Sequence, residues 1–187
     1  NARYIRDRLP NDRLMQGIAK VLEANAIGTA ASLFGDVPYS EIATDISDQA
    51  FEGQVSVLQA VDALLDDAIA DLGAAQTRTL DEAIYFEGDA TKWREAAFTL
   101  KARYLLSRKD YNGALSAAQN GISSAAGNMM HIPRGDASVT EGDKNLFWEI
   151  LAGSRTGDLG NRGSYMMQML DASTGEYRGN AKTDETA

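Results

Sequence analysis

The side chains best suited to chemistry lie in a polar, glycine-rich stretch toward the C-terminus: Arg155, Asp158, Asn161, Arg162 and Tyr165. Guanidinium, carboxylate and amide groups hydrogen-bond to hydroxyls, and a tyrosine ring offers a flat face for stacking. The inventory therefore suits a hydroxyl-rich ligand such as a glycan, although an ordinary surface loop has the same composition. Gly157, Gly160 and Gly163 punctuate this stretch, but it lacks the Gly-Lys-Ser/Thr ending and strand-to-helix setting of a phosphate loop. Arg134-Gly135-Asp136 matches an adhesion tripeptide of a kind that arises often by chance.

Reactive groups are scarce. His131 is the single histidine, so a Ser-His-Asp triad would have to be built on it and a multi-histidine metal site is excluded. Cysteine is absent, which removes disulfides, thiolate zinc sites and cysteine nucleophiles from this stretch. No cofactor is implied. Asp62, Asp66, Asp67 and Asp71 recur within one segment, but carboxylates four apart on a helix project outward in parallel. Asp67 and Asp71 are expected on a wet face, with Asp62 and Asp66 at its border. Lys92, Arg94, Lys101, Arg103, Arg108 and Lys109 gather six of the 18 basic residues, and read as a solvated helix face. The net charge of −9 argues against sequence-independent binding of nucleic acid.

Helices must position these groups. The 187 residues, 44% hydrophobic and 24% charged, suffice for a domain with a real core. Leu14, Ile18, Val21, Leu22 and Ala26 recur at three- and four-residue spacing, with Asn11 or Asp12 placed to cap. That helix should stop near Phe34, because Gly35 follows and Pro38 cannot continue it. A second helix is predicted from about Gln54 to Leu72, with Val61, Leu65, Ala68 and Leu72 on one stripe. Residues 73–90 read as a connection. A third helix begins near Thr91 and carries Trp93, Ala97, Leu100 and Tyr104. A fourth begins at Tyr111, its stripe being Tyr111, Ala114, Leu115, Ala118 and Ile122. The short break at Arg108-Lys109-Asp110 predicts that these two helices fold back as an antiparallel hairpin. The longest apolar run, residues 26–34, is interrupted by Gly28, Thr29 and Ser32 and falls short of the ~18 residues of a membrane-spanning helix.

After Gly127 the composition becomes polar and rich in glycine. An apolar island at residues 146–151, containing Trp148, predicts a short strand or extended segment, and residues 165–170 predict a short helix. The chain thus divides into a helical core (1–126) and a loop-rich part (127–187). The fold class is all-α. Within the hairpin, Tyr111 followed by Ala114 and Ala118 resembles a tetratricopeptide (TPR) repeat, with the alanines at the helix crossing and the tyrosine as a wedge.

The order of several short segments resembles the SusD/RagB family of nutrient-binding outer-membrane lipoproteins. They are Phe34-Gly35-Asp36-Val37-Pro38-Tyr39-Ser40-Glu41, Asp67-Ala68-Ile69-Ala70-Asp71-Leu72, and Tyr85-Phe86-Glu87-Gly88-Asp89 with Lys92-Trp93. Then come Leu100-Lys101-Ala102-Arg103-Tyr104, Asn145-Leu146-Phe147-Trp148, and Arg155-Thr156-Gly157-Asp158-Leu159-Gly160. The resemblance implies a TPR-like superhelical core and a non-catalytic protein at the cell surface. It implies capture of glycan or peptide and delivery to a SusC-type TonB-dependent transporter, with attachment to the membrane only through an N-terminal lipid. By position, the stretch from Arg155 to Tyr165 resembles the region from which family members present ligand-facing side chains. Family members are longer, with an export signal and a lipid-modified cysteine, so this sequence reads as an internal portion. The family's Asp-Pro-Arg segment is missing after Leu170. The hairpin taken alone fits instead a protein-interaction adaptor. A glycoside hydrolase would need two carboxylates about 5–10 Å apart in a cleft, which acids spread over helix faces do not supply.

Overall fold

A computed structural model describes residues 1–80, 85–130 and 164–177. It divides into two compact units, Asn1–His131 and Ile132–Ala187. In the first, the order is α1 (Ala2–Arg8), α2 (Arg13–Phe34), α3 (Gln54–Gly73), α4 (Ala90–Ser107) and α5 (Tyr111–Ala118). Among the described residues of the second, α6 (Tyr165–Leu170) is the helix predicted there. The described structure is helical, with a single antiparallel bridge, Val37 to Glu52, in place of any sheet. The predicted extended segment at 146–151 lies outside the described residues.

Helices α2, α4 and α5 each begin on a carboxylate. Asp12 accepts from the Met15 amide at 3.1 Å, Asp89 from Thr91 at 2.8 Å, and Asp110 from Gly113 at 2.9 Å, each supplying a partner for an orphan N–H of the first turn. Gly35, at φ +80, ends α2 as anticipated. Helix α1 was not foreseen. It buries no residue fully, so it lacks the apolar stripe by which the others announce themselves.

The core is a layer between α2, α3 and α4. Leu14, Val21, Ala24, Ala31, Val57, Val61, Leu65, Ala68, Trp93, Ala97 and Tyr104 are buried together. Trp93 is the anchor of α4, meeting Tyr85 and Phe86 edge-on with ring centroids 6.0 and 5.4 Å away. Phe86 and Glu87 have φ of +57 and +50, followed by Gly88 at +76. Positive φ at two non-glycine residues is strained, and the packing of the Phe86 ring on Trp93 helps hold it.

Three sequence expectations are corrected here. In α5 the buried residues are Ala114 and Ala117, while Tyr111 and Leu115 are 64% and 62% exposed and Ala118 is exposed too. Tyr111 is not a wedge, and Ala118 is not at the crossing. The reason is steric: α5 lies close on Phe98, Ala102 and Leu105 of α4, and its small-residue face tolerates that approach better than its bulky one. Beyond the helix, a Cβ on Gly121 would stand 2.7 Å from Thr99 Oγ1, and the Ile122 amide donates to that same oxygen at 2.9 Å.

Asp71, assigned to a wet face, is 3% exposed. Arg13 and Lys20 of α2 close over it, Lys20 Nζ at 2.6 Å. A buried carboxylate is tolerable only with such partners. Asp62 and Asp66 likewise face a neighbour, since Lys101 of α4 approaches them at 3.0 and 2.6 Å. Burial lowers the Lys101 pKa, but the hydrogen bonds and charges of these two aspartates outweigh it, so the ammonium is held above its ordinary value. Lys101 and Arg108 thus belong to an interhelix ion-pair cluster rather than to a free basic face.

Candidate binding surfaces

The most organised polar cluster lies where α1, α2 and the connection 35–53 meet. Glu23 sits on the flank of α2 beside Ala19 and Ile27, one turn away on either side, and is 6% exposed. Its carboxylate accepts from Arg3 Nε at 2.9 Å and Arg6 Nη1 at 2.6 Å, and from the Tyr39 hydroxyl at 3.3 Å. Burial, and then the Glu23 charge, push the Tyr39 phenol above its ordinary pKa. Three of the four remaining guanidinium protons of Arg3 go to the carbonyls of Tyr39 (2.9 Å), Ser40 (3.1 Å) and Ile42 (2.8 Å), with the cation 5.0 Å from the centre of the Tyr39 ring. One arginine therefore fixes the path of the connection.

The other end of that connection is fastened by acids. Glu52 accepts from the amides of Tyr39 and Ser40, Asp36 from that of Gln54 at 2.9 Å, and Glu41 from that of Ala50 at 3.0 Å. Hydrogen bonds from Ser40, chiefly its amide, hold the Glu52 carboxyl below its usual range. The result is a loop of fixed shape on the α2–α3 hairpin.

Beside the cluster runs an apolar groove of about 580 Å³, lined by Ile5 of α1, Met15, Ile18, Leu22 and Ile27 of α2, and Ile42. A smaller, more polar hollow of about 370 Å³ lies over Gln76, Arg78, Glu87, Asp89 and Lys92. Among the described residues no group of three or more His, Cys, Asp or Glu could hold a metal ion, and no helix is long and apolar enough to cross a membrane.

Of the five predicted ligand-facing residues, Arg155, Asp158, Asn161 and Arg162 lie outside the described residues, as do His131, Arg134 and Trp148. Tyr165 is the first residue of α6; it is 60% exposed, and its hydroxyl donates to Glu176 at 3.4 Å. Sequence reasoning missed the Arg3–Arg6–Glu23–Tyr39 cluster. The available signal was a glutamate on a helical strip that otherwise carries Ala19 and Ile27, since an acid among apolar neighbours requires a cation.

The long helix, the Gly-Asp-Val-Pro-Tyr turn, and the aromatic turn that leads into Trp93 now stand in one arrangement, and comparison with known proteins agrees with it. The family model described as "Starch-binding associating with outer membrane" (SusD-like) matches residues 2–170. The chain belongs to the SusD-like family. A crystal structure of a SusD/RagB family protein from Bacteroides thetaiotaomicron VPI-5482 is similar at a TM-score of 0.68 and 26% identity, over 81% of this chain and 34% of that one. The chain thus spans about a third of the length of that SusD/RagB protein. No curated protein matches it. The all-α expectation and the SusD-like resemblance both hold.

Proposed function

We propose that this SusD-like chain is the helical part of a binding protein that captures glycans at the outer membrane and passes them to a SusC-type TonB-dependent transporter, without catalysis. The observation that carries the reading is the match of the SusD-like family, described as starch-binding and associated with the outer membrane, along residues 2–170. A lipid anchor at the surface of a Bacteroidetes cell belongs to the same proposal. Several described acids are already committed: Asp12, Glu23, Asp62, Asp66 and Asp71 all engage cations, which supports a scaffold rather than a pair of reactive carboxylates. The ligand-facing role falls to Arg155, Asp158, Asn161, Arg162 and Tyr165, by their chemistry.

Calorimetric titration of the chain with malto-oligosaccharides tests this. Saturable binding is expected, with a loss of about tenfold or more when Arg155 or Tyr165 is changed to alanine, as for a residue central to an interface. Absence of binding to any oligosaccharide or peptide on an array, together with tight binding of a soluble protein, would instead support an adaptor. The α4–α5 hairpin, with its exposed Tyr111 and Leu115, is the feature favouring that second reading.

A further inference from the structure

Between α3 and α4 the backbone is left-handed at two consecutive non-glycine residues, Phe86 (φ +57) and Glu87 (φ +50), and again at Gly88 (φ +76). A bulky residue in this region is an outlier, and such strain collects at ligand-binding sites, where the surrounding packing holds it. Here that packing is visible. Trp93 meets the Phe86 ring edge-on. Gly88 passes so close to Leu80 that an added Cβ would stand 2.6 Å from the Leu80 Cβ and 3.1 Å from its carbonyl oxygen. The turn is thereby pinned as one wall of the hollow of about 370 Å³, whose lining also includes Leu14, Gln76, Thr79 and Lys92.

We infer that this hollow is a second glycan-binding site, taking one neutral sugar unit. The orientation of Gln76 is the first reason. Its Nε2 donates to the carbonyls of Asp71 (3.1 Å), Leu72 (3.3 Å) and Ala74 (2.8 Å), which fixes the amide. Its Oε1 is left buried with no donor, a lack that a ligand hydroxyl makes good. Among the described residues, no hydrogen bond or ion pair engages the Glu87 carboxylate or the Lys92 ammonium either. Charge is the second reason. Arg78 and Lys92 balance Glu87 and Asp89, with Arg78 turned to Asp12 and Asp89 accepting from the Thr91 and Lys92 amides. That balance favours neither an anion nor a cation. A hydroxyl-bearing ring, by contrast, can donate to Gln76 and Glu87 and accept from Thr79 and Lys92. Leu14, Leu80 and Phe86 add apolar lining for its C–H face, and the volume lies at the small end of ligand sites, which suits one ring. The inference rests on the proposed function in taking a glycan, and adds a contact remote in sequence from residues 155–165.

The test is an NMR titration of the isotope-labelled chain with maltose, read residue by residue. Saturable shifts are expected at the Gln76 side-chain amide and at the backbone amides of Thr79, Gly88 and Lys92. Lys92→Ala should weaken that binding about tenfold or more, as loss of a hydrogen bond to a charged group does. Glu87→Gly should weaken it to a similar degree while melting at the same or a higher temperature, because glycine accepts the left-handed conformation without strain. Those opposed effects separate a binding role from a structural one, and the melts also check that each variant folds. Saturable shifts confined to residues 155–165 overturn the inference and leave the proposed function standing. No shift anywhere in the chain removes both together. Unchanged affinity in the two variants overturns the inference even where shifts appear beside the hollow.

Discussion

The ring of Tyr104 fills the space that Gly28 leaves by having no side chain. A Cβ on Gly28 would stand 2.2 Å from the ring Cζ and 2.6 Å from both Cε atoms, far inside van der Waals contact. Gly17 makes a similar notch for Leu72, whose Cγ would lie 2.4 Å from an added Cβ. The two glycines are 11 residues apart, close to three full turns, so both notches open on one side of α2. Glycine in mid-helix costs about 1 kcal/mol relative to alanine, so its use here needs a packing reason, and the neighbouring helices provide it.

Gly28→Ala sets these two effects against each other. Propensity favours alanine by about 1 kcal/mol, whereas overpacking a closed core costs typically 1–3 kcal/mol. Tyr104 is 1% exposed and cannot swing away, so overpacking should win. Urea denaturation is expected to show a net loss of roughly 1–2 kcal/mol, largely restored when Tyr104 is also changed to leucine. An unchanged or raised midpoint for the single variant would refute the notch.

Lys109 makes the opposite prediction. It closes α4 in a left-handed conformation, φ +65, with its amide donating to Leu106 at 2.9 Å and that of Asp110 to Leu105 at 3.0 Å. That bond pair is a Schellman ending, in which glycine is the favoured residue at the left-handed position. Lys109→Gly should therefore stabilise the chain by about 0.5–1 kcal/mol, after its larger unfolded-state entropy is counted. Asp110→Ala should cost about 1 kcal/mol, because Asp110 caps α5. Thermal melts of the two variants would check the opposed signs.

The helices were legible in the sequence where a local rule fixed them. Asp12, Gly35 and the Arg108-Lys109-Asp110 break set boundaries through capping and turn chemistry, which act within a few residues. What local rules could not show was which face turns inward when two are plausible. In α5 the more hydrophobic stripe lost to Ala114 and Ala117 because the close approach of α4 selects small side chains. Nor could periodicity assign Asp71, whose partners Arg13 and Lys20 lie more than 50 residues away in sequence. Of the predicted ligand residues, Tyr165 alone falls among the described residues, so what was read there remains chemistry without placement.

Acidification should loosen the 35–53 loop before the helices respond. Glu52 has a folded pKa below its ordinary 4.5, because the Ser40 and Tyr39 amides donate to its charged form. A depressed carboxylate contributes fully above the unfolded value, and its contribution is lost as pH falls through the folded one. Amide exchange at Tyr39 and Ser40 should therefore be slow above about pH 4.5 and accelerate below it. Glu52→Gln should abolish most of that dependence. If the exchange rates of these amides, corrected for intrinsic chemistry, are flat across the window in wild type, Glu52 does not fasten the loop.

Glu23 couples α1 to the rest, and its neutralisation should be costly in a specific way. Glu23→Gln keeps the shape but leaves Arg3 and Arg6 without their shared anion. Breaking a fully buried pair costs several kcal/mol, but both arginine side chains are about a quarter exposed, at 26% and 28%, and water compensates in part. A loss of about 1–3 kcal/mol follows. Arg3→Ala should cost less globally, since Glu23 retains Arg6, yet it removes donors to the carbonyls of Tyr39, Ser40 and Ile42 at once. Its signature is therefore local: faster amide exchange across residues 35–53, with the α2–α4 core still protected. Equal acceleration in the core and the loop would show that Arg3 stabilises the whole unit and has no particular hold on the connection.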